Sequence, residues 1–413
     1  MYEFIRKNFY DVLLKGITGK PNLLQVVVGP RQVGKTTLVL QVKKHWPGPS
    51  FYHSADLPNT PDAEWIMNRW LECRSHSSVA NQESLLIFDE VQKIPRWSEV
   101  VKKMADEDRI AKRAIRVVLL GSSFLLMQKG LNESLAGRFE LHRHHHWTYA
   151  ECRDYFHLSL PEYLYFGGYP GAIPLRTDEN RWARYVRDSL IETVLGKDVL
   201  LMSPVAKPAL LRQVFGLCLA HAAEIMSYQK MIGQLHDAGN TTTIASYIRL
   251  LADAFLFAPL ERYSGNRIRQ RGSIPKIVVL DNALISAVYS SSFHDTFIDK
   301  TVWGRMVENA VGSKLHDWLQ ERGGRLYYWR DRNDEVDYVA EWGRRLLAVE
   351  VKSGVPGKVP DGLNRFAKRY PWTEKILISA SAPDLAKPGK QIGQPCRRID
   401  LEQFFLDPAA IFK

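Results

Sequence analysis

The 413 residues are 45% hydrophobic and 24% charged, with 11 tryptophans, which excludes a disordered or linker-dominated chain and predicts more than one domain. A formal net charge of +11 implies attraction to nucleic acid, acidic membranes or acidic proteins, nucleic acid first. Cys73, Cys152, Cys218 and Cys396 form no Cys-x-x-Cys pair, and no run approaches the ~18 apolar residues of a membrane helix, so the expectation is a cytoplasmic protein without a zinc site, a disulfide framework or a membrane span.

Residues 23–28 form a short, nearly all-apolar run, as for a parallel strand covered on both faces. It ends in Gly29-Pro30-Arg31-Gln32-Val33-Gly34-Lys35-Thr36, which matches G-x-x-x-x-G-K-[ST], and Thr37 then opens a helical stretch through Leu38, Val39 and Val42. In that context glycines let backbone N–H groups close around phosphates and the helix N-terminus favours the anion. Lys35 is expected to reach the β and γ phosphates and Thr36 to ligate Mg2+, with ATP as the nucleotide. The apolar run 85–88 stops at Asp89-Glu90, where Asp89 would hold the metal and Glu90 would polarise water. A third strand, 117–120, delivers Ser122 as a γ-phosphate sensor. Arg138, in Leu-Ala-Gly-Arg, reads either as an arginine finger across a subunit boundary or as a structural ion pair.

The run His142-Arg143-His144-His145-His146 reads as an edge strand leaving this core rather than as a metal site, because neighbouring strand residues point to opposite faces. Beyond it the pattern turns helical, broken at Phe166-Gly167-Gly168-Tyr169-Pro170-Gly171. Residues 210–263 have helix-turn-helix spacing, with a turn at 236–239 and a helix through Ile244, Tyr247, Ile248 and Leu251. After Arg262, alternation places Arg267, Arg269 and Arg271 on one face of an extended arm suited to a phosphate backbone, as in the wing of a winged helix.

In the last third, Val307, Val311, Leu315, Trp318 and Leu319 stripe a helix over 302–322, with Glu308 beside the stripe. Two strands follow. One holds Asp337, and in the other Leu347, Val349 and Val351 share one face while Glu350 and Lys352 project from its opposite. Glu308, Asp337, Glu350 and Lys352 are in the order of a PD-(D/E)xK nuclease core, in which carboxylates collect Mg2+ and a lysine activates the nucleophile.

Gly-Pro-Arg-Gln-Val-Gly-Lys-Thr, Leu-Ala-Gly-Arg, Gly-Gly-Tyr-Pro-Gly, Glu-Val-Asp-Tyr-Val and Val-Glu-Val-Lys-Ser together resemble the prokaryotic AAA-type (AAA+) ATPases with a C-terminal domain of unknown function, over about residues 4–380. The resemblance implies an α/β fold: an AAA-type parallel P-loop sheet over 1–155, a helical connector over 156–206, a winged-helix module over 207–290 and a restriction-endonuclease-like domain over 291–413. It implies Lys35, Thr36, Asp89 and Glu90 as ATPase residues and Glu308, Asp337, Glu350 and Lys352 as nuclease residues. The activity expected is an ATP-dependent DNA nuclease acting on branched, single-stranded or repair-intermediate DNA as a homo-oligomer such as a hexamer. The alternative is an ATP-gated regulator with an inactive nuclease-like domain. The basic, His-rich strand departs from the family pattern.

Overall fold

Each apolar run read as a strand in the first 146 residues pairs into one parallel sheet. The computed structural model describes residues 4–413 except 81, 122–126, 128–129, 132, 201–204, 237–238, 266–273, 290–291 and 381–395. It divides into two units, Met1–His146 and Trp147–Lys413.

The first unit runs α1 (Lys7–Thr18), β1 (Leu24–Val28), α2 (Lys35–Lys44), β2 (Ser50–Ser54), α3 (Ala63–Ala80), β3 (Ser84–Asp89), α4 (Trp97–Ile110), β4 (Ile115–Gly121) and β5 (Phe139–Arg143). The strand order is β2-β3-β4-β1-β5, all parallel. β1, β3 and β4 are buried along their whole length, which is why they read as continuous apolar runs. Val27, Leu85, Ile87, Val118 and Leu120 pack with Leu13 and Ile17 of α1 and Leu38, Val39 and Val42 of α2. Each such side chain stabilises the fold by roughly 1.5–3 kcal/mol when fully buried. Phe88 stacks on Trp70 of α3, with ring centres 6.0 Å apart. After β1 the chain crosses to the far edge at β2, leaving β3 and β4 between. That switch opens a crevice beyond the carboxyl ends of the strands.

The second unit begins with α5 (Tyr149–Phe156) and α6 (Leu160–Phe166), each started by a capping box, Thr148 with Glu151 and Ser159 with Glu162. The turn after α6 needs its glycine: Gly167 has φ +72°, and a Cβ there would lie 1.9 Å from Asp281 Oδ1. The helices α7 (Glu179–Tyr185), α8 (Pro208–Ala220), α9 (Tyr228–Ile232) and α10 (Thr241–Asp253) follow. Next come β6 (Phe257–Leu260) and β7 (Lys276–Val279), paired antiparallel. Then α11 (Ala283–Tyr289), α12 (Phe293–Ile298) and the long α13 (Lys300–Glu321) lead to β8 (Arg325–Asp331), β9 (Asp334–Trp342), β10 (Arg345–Lys352), α14 (Asp361–Arg369), β11 (Glu374–Ser379), β12 (Cys396–Asp400) and α15 (Leu401–Leu406).

The second sheet has the order β12-β11-β10-β9-β8, parallel at β10, β11 and β12 and antiparallel at β8, β9 and β10. Leu347, Val349 and Val351 pack with α13, and Leu346 and Ala348 pack with Leu363 and Phe366 of α14, as the alternation requires. The stretches read from sequence as connector, winged helix and nuclease-like domain share one core, which joins Tyr149 and Leu164 to Leu260 and Val278 and on to Trp303 and Ile376. No described helix is long and apolar enough to cross a membrane.

Candidate functional site

The loop after β1 bends where side chains are least tolerated. Gln32 and Gly34 have φ of 59° and 94°, and an added Cβ at Gly34 would meet nothing within 4 Å, so this glycine serves conformation rather than space. Gly29 serves space, since a Cβ there would fall 2.1 Å from the carbonyl oxygen of His144. Lys35, only 8% exposed, donates to the carbonyls of Gly29 at 2.9 Å and Pro30 at 2.6 Å, inside the loop it follows. Thr36 Oγ1 donates to Asp89 Oδ2 at 2.8 Å, and Tyr52 on β2 donates its hydroxyl to the same oxygen at 2.8 Å. Three elements thus converge on one carboxylate. A hydroxyl and a carboxylate at hydrogen-bond distance are a fitting pair of ligands for a hard cation such as Mg2+. Burial and the Asp89 carboxylate push the Tyr52 phenol well above its ordinary range, so it stays a donor. Glu90 follows with φ 54° and accepts from Gln92 Nε2 at 2.7 Å.

A second concentration of charge lies in the other unit. Lys276 on β7, with no solvent exposure, donates from Nζ to Glu308 Oε1 at 2.6 Å and to the Asp337 carbonyl at 3.2 Å. The same ammonium is 3.5 Å from Glu335 Oε1 and 4.9 Å from the centre of the Tyr338 ring. Asp337 Oδ2 accepts from the Val351 backbone at 2.8 Å, and Lys352 Nζ donates to Glu350 Oε1 at 2.8 Å. Glu350 Oε2 is buried without a hydrogen-bond partner among the described residues.

Burial, with repulsion from Asp337, pushes both Glu308 and Glu350 up to about 7, against the opposing pull of Lys276 on the first and Lys352 on the second. Burial works against the charge on Lys276, yet Glu308, Asp337 and Glu335 outweigh it and hold the ammonium above its ordinary range. The two partners' shifts oppose each other: an ion pair alone would lower Glu308. The crowding of several carboxylates around one ammonium accounts for both.

Residues 21–153 match the family model of an AAA domain. The first unit is an AAA-type domain. Residues 157–295 and 303–397 match the models of two domains of unknown function, DUF8612 and DUF4143. An uncharacterized protein of Mycobacterium tuberculosis is 27% identical over 377 residues, covering 89% of this chain and 80% of its own. One of Methanocaldococcus jannaschii is 24% identical over 348 residues, covering 77% and 72%. Among solved structures, the Thermotoga maritima RuvB Holliday junction branch migration motor matches with TM-score 0.33 and 15% identity, over 65% of this chain and 91% of that one. AMPPCP-bound DnaA from Aquifex aeolicus matches with TM-score 0.31 and 18% identity, over 60% and 87%.

In the AAA domain, Gly29 to Thr37 and Asp89 with Glu90 stand at one end of the sheet. Arg138 pairs within its own chain: Nε and Nη2 lie 3.0 and 3.1 Å from the two oxygens of Asp106, the ion-pair arrangement of the two left open by the sequence. Ser122, Arg267, Arg269 and Arg271 lie outside the described residues. Arg262 is described and bridges by its backbone to Tyr328.

In the DUF4143 region Glu308, Asp337, Glu350 and Lys352 lie in one cluster joined by Lys276. Among the described residues no group of three or more His, Cys, Asp and Glu side chains is arranged to hold a metal ion. Lys276 takes Glu308, the Val351 N–H takes Asp337, and Lys352 takes Glu350. Tyr52, Lys276 and Glu335 were missed by sequence reasoning. The one available signal was the lysine opening the apolar run Lys276-Ile277-Val278-Val279, where a charge is expensive unless met by another.

Proposed function

We propose that this chain is an ATP-hydrolysing switch that acts on nucleic acid, and that its acid–lysine cluster is a binding platform rather than a cutting centre. The observation that supports hydrolysis is the 2.8 Å contact of Thr36 with Asp89 at the mouth of a P-loop. Mg2+ held by these two residues would neutralise phosphate charge. Lys35, released from the loop carbonyls, meets the phosphates; Glu90 polarises the attacking water. Glu90 is suited to this because it follows the metal carboxylate at the carboxyl end of β3.

Lys276 supports the platform reading. It brings a permanent cation to Glu308, where a nuclease centre would use a divalent ion. The charge of +11 supports nucleic acid as partner, and α8, α9 and α10 followed by the paired β6 and β7 suit a winged helix whose arm includes Arg262, Arg267, Arg269 and Arg271. Assembly into a homo-oligomer belongs to the same proposal, and there Arg138 would have to leave Asp106 to act as a finger.

The test is ATP turnover by wild type and Lys35→Ala, with and without DNA, together with a salt titration of DNA binding. Reversing the charges of Arg267, Arg269 and Arg271 should lower the log–log salt slope by roughly 0.9 for each phosphate that is no longer neutralised. Turnover unaffected by Lys35→Ala would remove the ATPase reading, and DNA binding with no salt slope would remove the partner.

Metal-dependent cleavage is the second reading. The unpartnered Glu350 Oε2 and the excess of carboxylates over ammoniums favour it: Glu308, Glu335, Asp337 and Glu350 against Lys276 and Lys352. Mg2+- or Mn2+-dependent cutting that Lys352→Ala abolishes would decide for it.

A further inference from the structure

Arg6 directly precedes α1 and is buried, with 4% exposure. Its Nη1 donates to the carbonyl of His145 at 2.9 Å and its Nη2 to that of His146 at 3.0 Å. Nη1 also lies 2.8 Å from His144 Nε2 and 3.5 Å from the carbonyl of Val33 in the P-loop. Phe9, one turn into α1, covers the guanidinium at 4.6 Å and the His144 ring at 4.5 Å.

The segment gripped in this way is the wall of the phosphate loop. The His144 N–H donates to the Val28 carbonyl at 2.8 Å, continuing the pairing of β5 with β1, and the His144 carbonyl fills the space that a Cβ on Gly29 would need. His144 Nε2 is 3.2 Å from the Val33 carbonyl. One end of the loop, Gly29, and its far side, Val33, therefore rest on the same histidine.

A guanidinium is always charged and can only donate, whereas the Val33 carbonyl can only accept, so the His144 Nε2 stands between a donor and an acceptor. Burial, then Arg6 and Lys35, holds the imidazole well below its ordinary range. A neutral ring at this position adds no further cation beside Lys35 and Arg6. A lysine at position 6 would supply one point of charge where the planar fork reaches two carbonyls and a ring nitrogen at once.

We infer that Arg6 is a positioning residue for the nucleotide site: by locking residues 144–146 against Gly29 and Val33 it sets the curvature of the phosphate loop. This rests on the reading of the loop as an ATP site. It also gives the His-rich strand, which departs from the family pattern, a structural task in that site.

The experiment titrates a fluorescent ATP analogue into wild type, Arg6→Ala, Arg6→Lys, His144→Gln and Lys35→Ala, recording the thermal midpoint and the kcat and KM of each. Loss of several hydrogen bonds to a charged group should weaken nucleotide binding by about tenfold or more in Arg6→Ala. Arg6→Lys should recover only part of that loss, and His144→Gln, whose amide offers both an acceptor and a donor near the Nε2 position, should stay closer to wild type. The change should fall on Kd and KM at temperatures where each variant is folded, which a merely structural role would not produce. An Arg6→Ala protein with wild-type nucleotide affinity overturns the inference while leaving the ATP site standing. If that variant does not fold, wild-type affinity in Arg6→Lys overturns it instead. Wild type that binds no better than Lys35→Ala removes the ATP site itself, and the inference with it.

Discussion

Lys276 Nζ and Glu308 Oε1 meet at 2.6 Å, the ammonium with no exposure and the carboxylate about a quarter open. Removing one partner of such a pair leaves the other uncompensated, at a cost of about 3–5 kcal/mol for a fully buried pair. Lys276→Met should therefore destabilise the second unit by an amount near the lower end of that range, since Glu308 keeps some water. Lys276→Met combined with Glu308→Leu should recover most of the loss. Urea unfolding of the three variants measures both, and a single variant as stable as wild type would contradict the pairing.

Stability should also depend on pH through Glu308 and Glu350. Their ordinary value of 4.5 is raised to about 7 in the folded protein, so between these limits the native state binds protons that the unfolded chain has released. The contribution is fully present below about 4.5 and is lost as pH rises through about 7. The wild-type unfolding free energy, taken relative to that of Glu350→Gln, should fall across this window. His142 and His144, held below their ordinary range, act in the opposite direction, so the difference from the variant is the quantity to follow. A difference that does not change with pH would show that Glu350 titrates normally.

At the nucleotide site, Glu90→Gln should retain ATP and slow its hydrolysis, because an amide fits the same space and polarises water poorly. Tyr52→Phe should act through Asp89, which loses the hydrogen bond that the Tyr52 hydroxyl donates. Loss of a group that orients a metal ligand typically weakens metal affinity by about tenfold or more. The Mg2+ concentration needed for half-maximal turnover should rise in Tyr52→Phe with little change in the thermal midpoint, and an unchanged Mg2+ requirement would leave Tyr52 a packing residue.

What was legible in the sequence was local. Gly29 to Thr36 and Asp89-Glu90 are contiguous, and their strands announce themselves because β1 and β3 are buried on both faces. Glu308, Asp337, Glu350 and Lys352 could be placed because helix stripe and strand alternation fix the face of each residue. Lys276 could not, because its partners Glu308 and Asp337 are 32 and 61 residues away and no local pattern links them. Arg6 lies 138 residues from His144, which kept the His-rich strand unexplained. Module boundaries were obscured for a related reason: Leu260 and Val278, in the stretch read as a winged helix, bury into the same core as Val349 and Ile376.

The two sites should separate cleanly by mutation. Thr36, Tyr52 and Asp89 all belong to the first unit, whereas Lys276, Glu308, Asp337, Glu350 and Lys352 belong to the second. Asp337→Asn and Lys352→Ala should accordingly leave basal ATP turnover within about twofold of wild type, the scatter expected of changes remote from the chemistry. With Lys276 seated on Glu308, linear, single-stranded and branched DNA incubated with Mg2+ or Mn2+ should stay intact while still binding to the protein. Lys276→Met removes that internal cation and leaves four carboxylates facing one ammonium, so a divalent ion gains what the lysine supplied. Mn2+ should then stabilise this variant against unfolding when it does not stabilise wild type free of nucleotide. Cleavage by wild type that Lys352→Ala abolishes would reverse the assignment, because a lysine bonded to Glu350 would then be activating a nucleophile rather than balancing a charge.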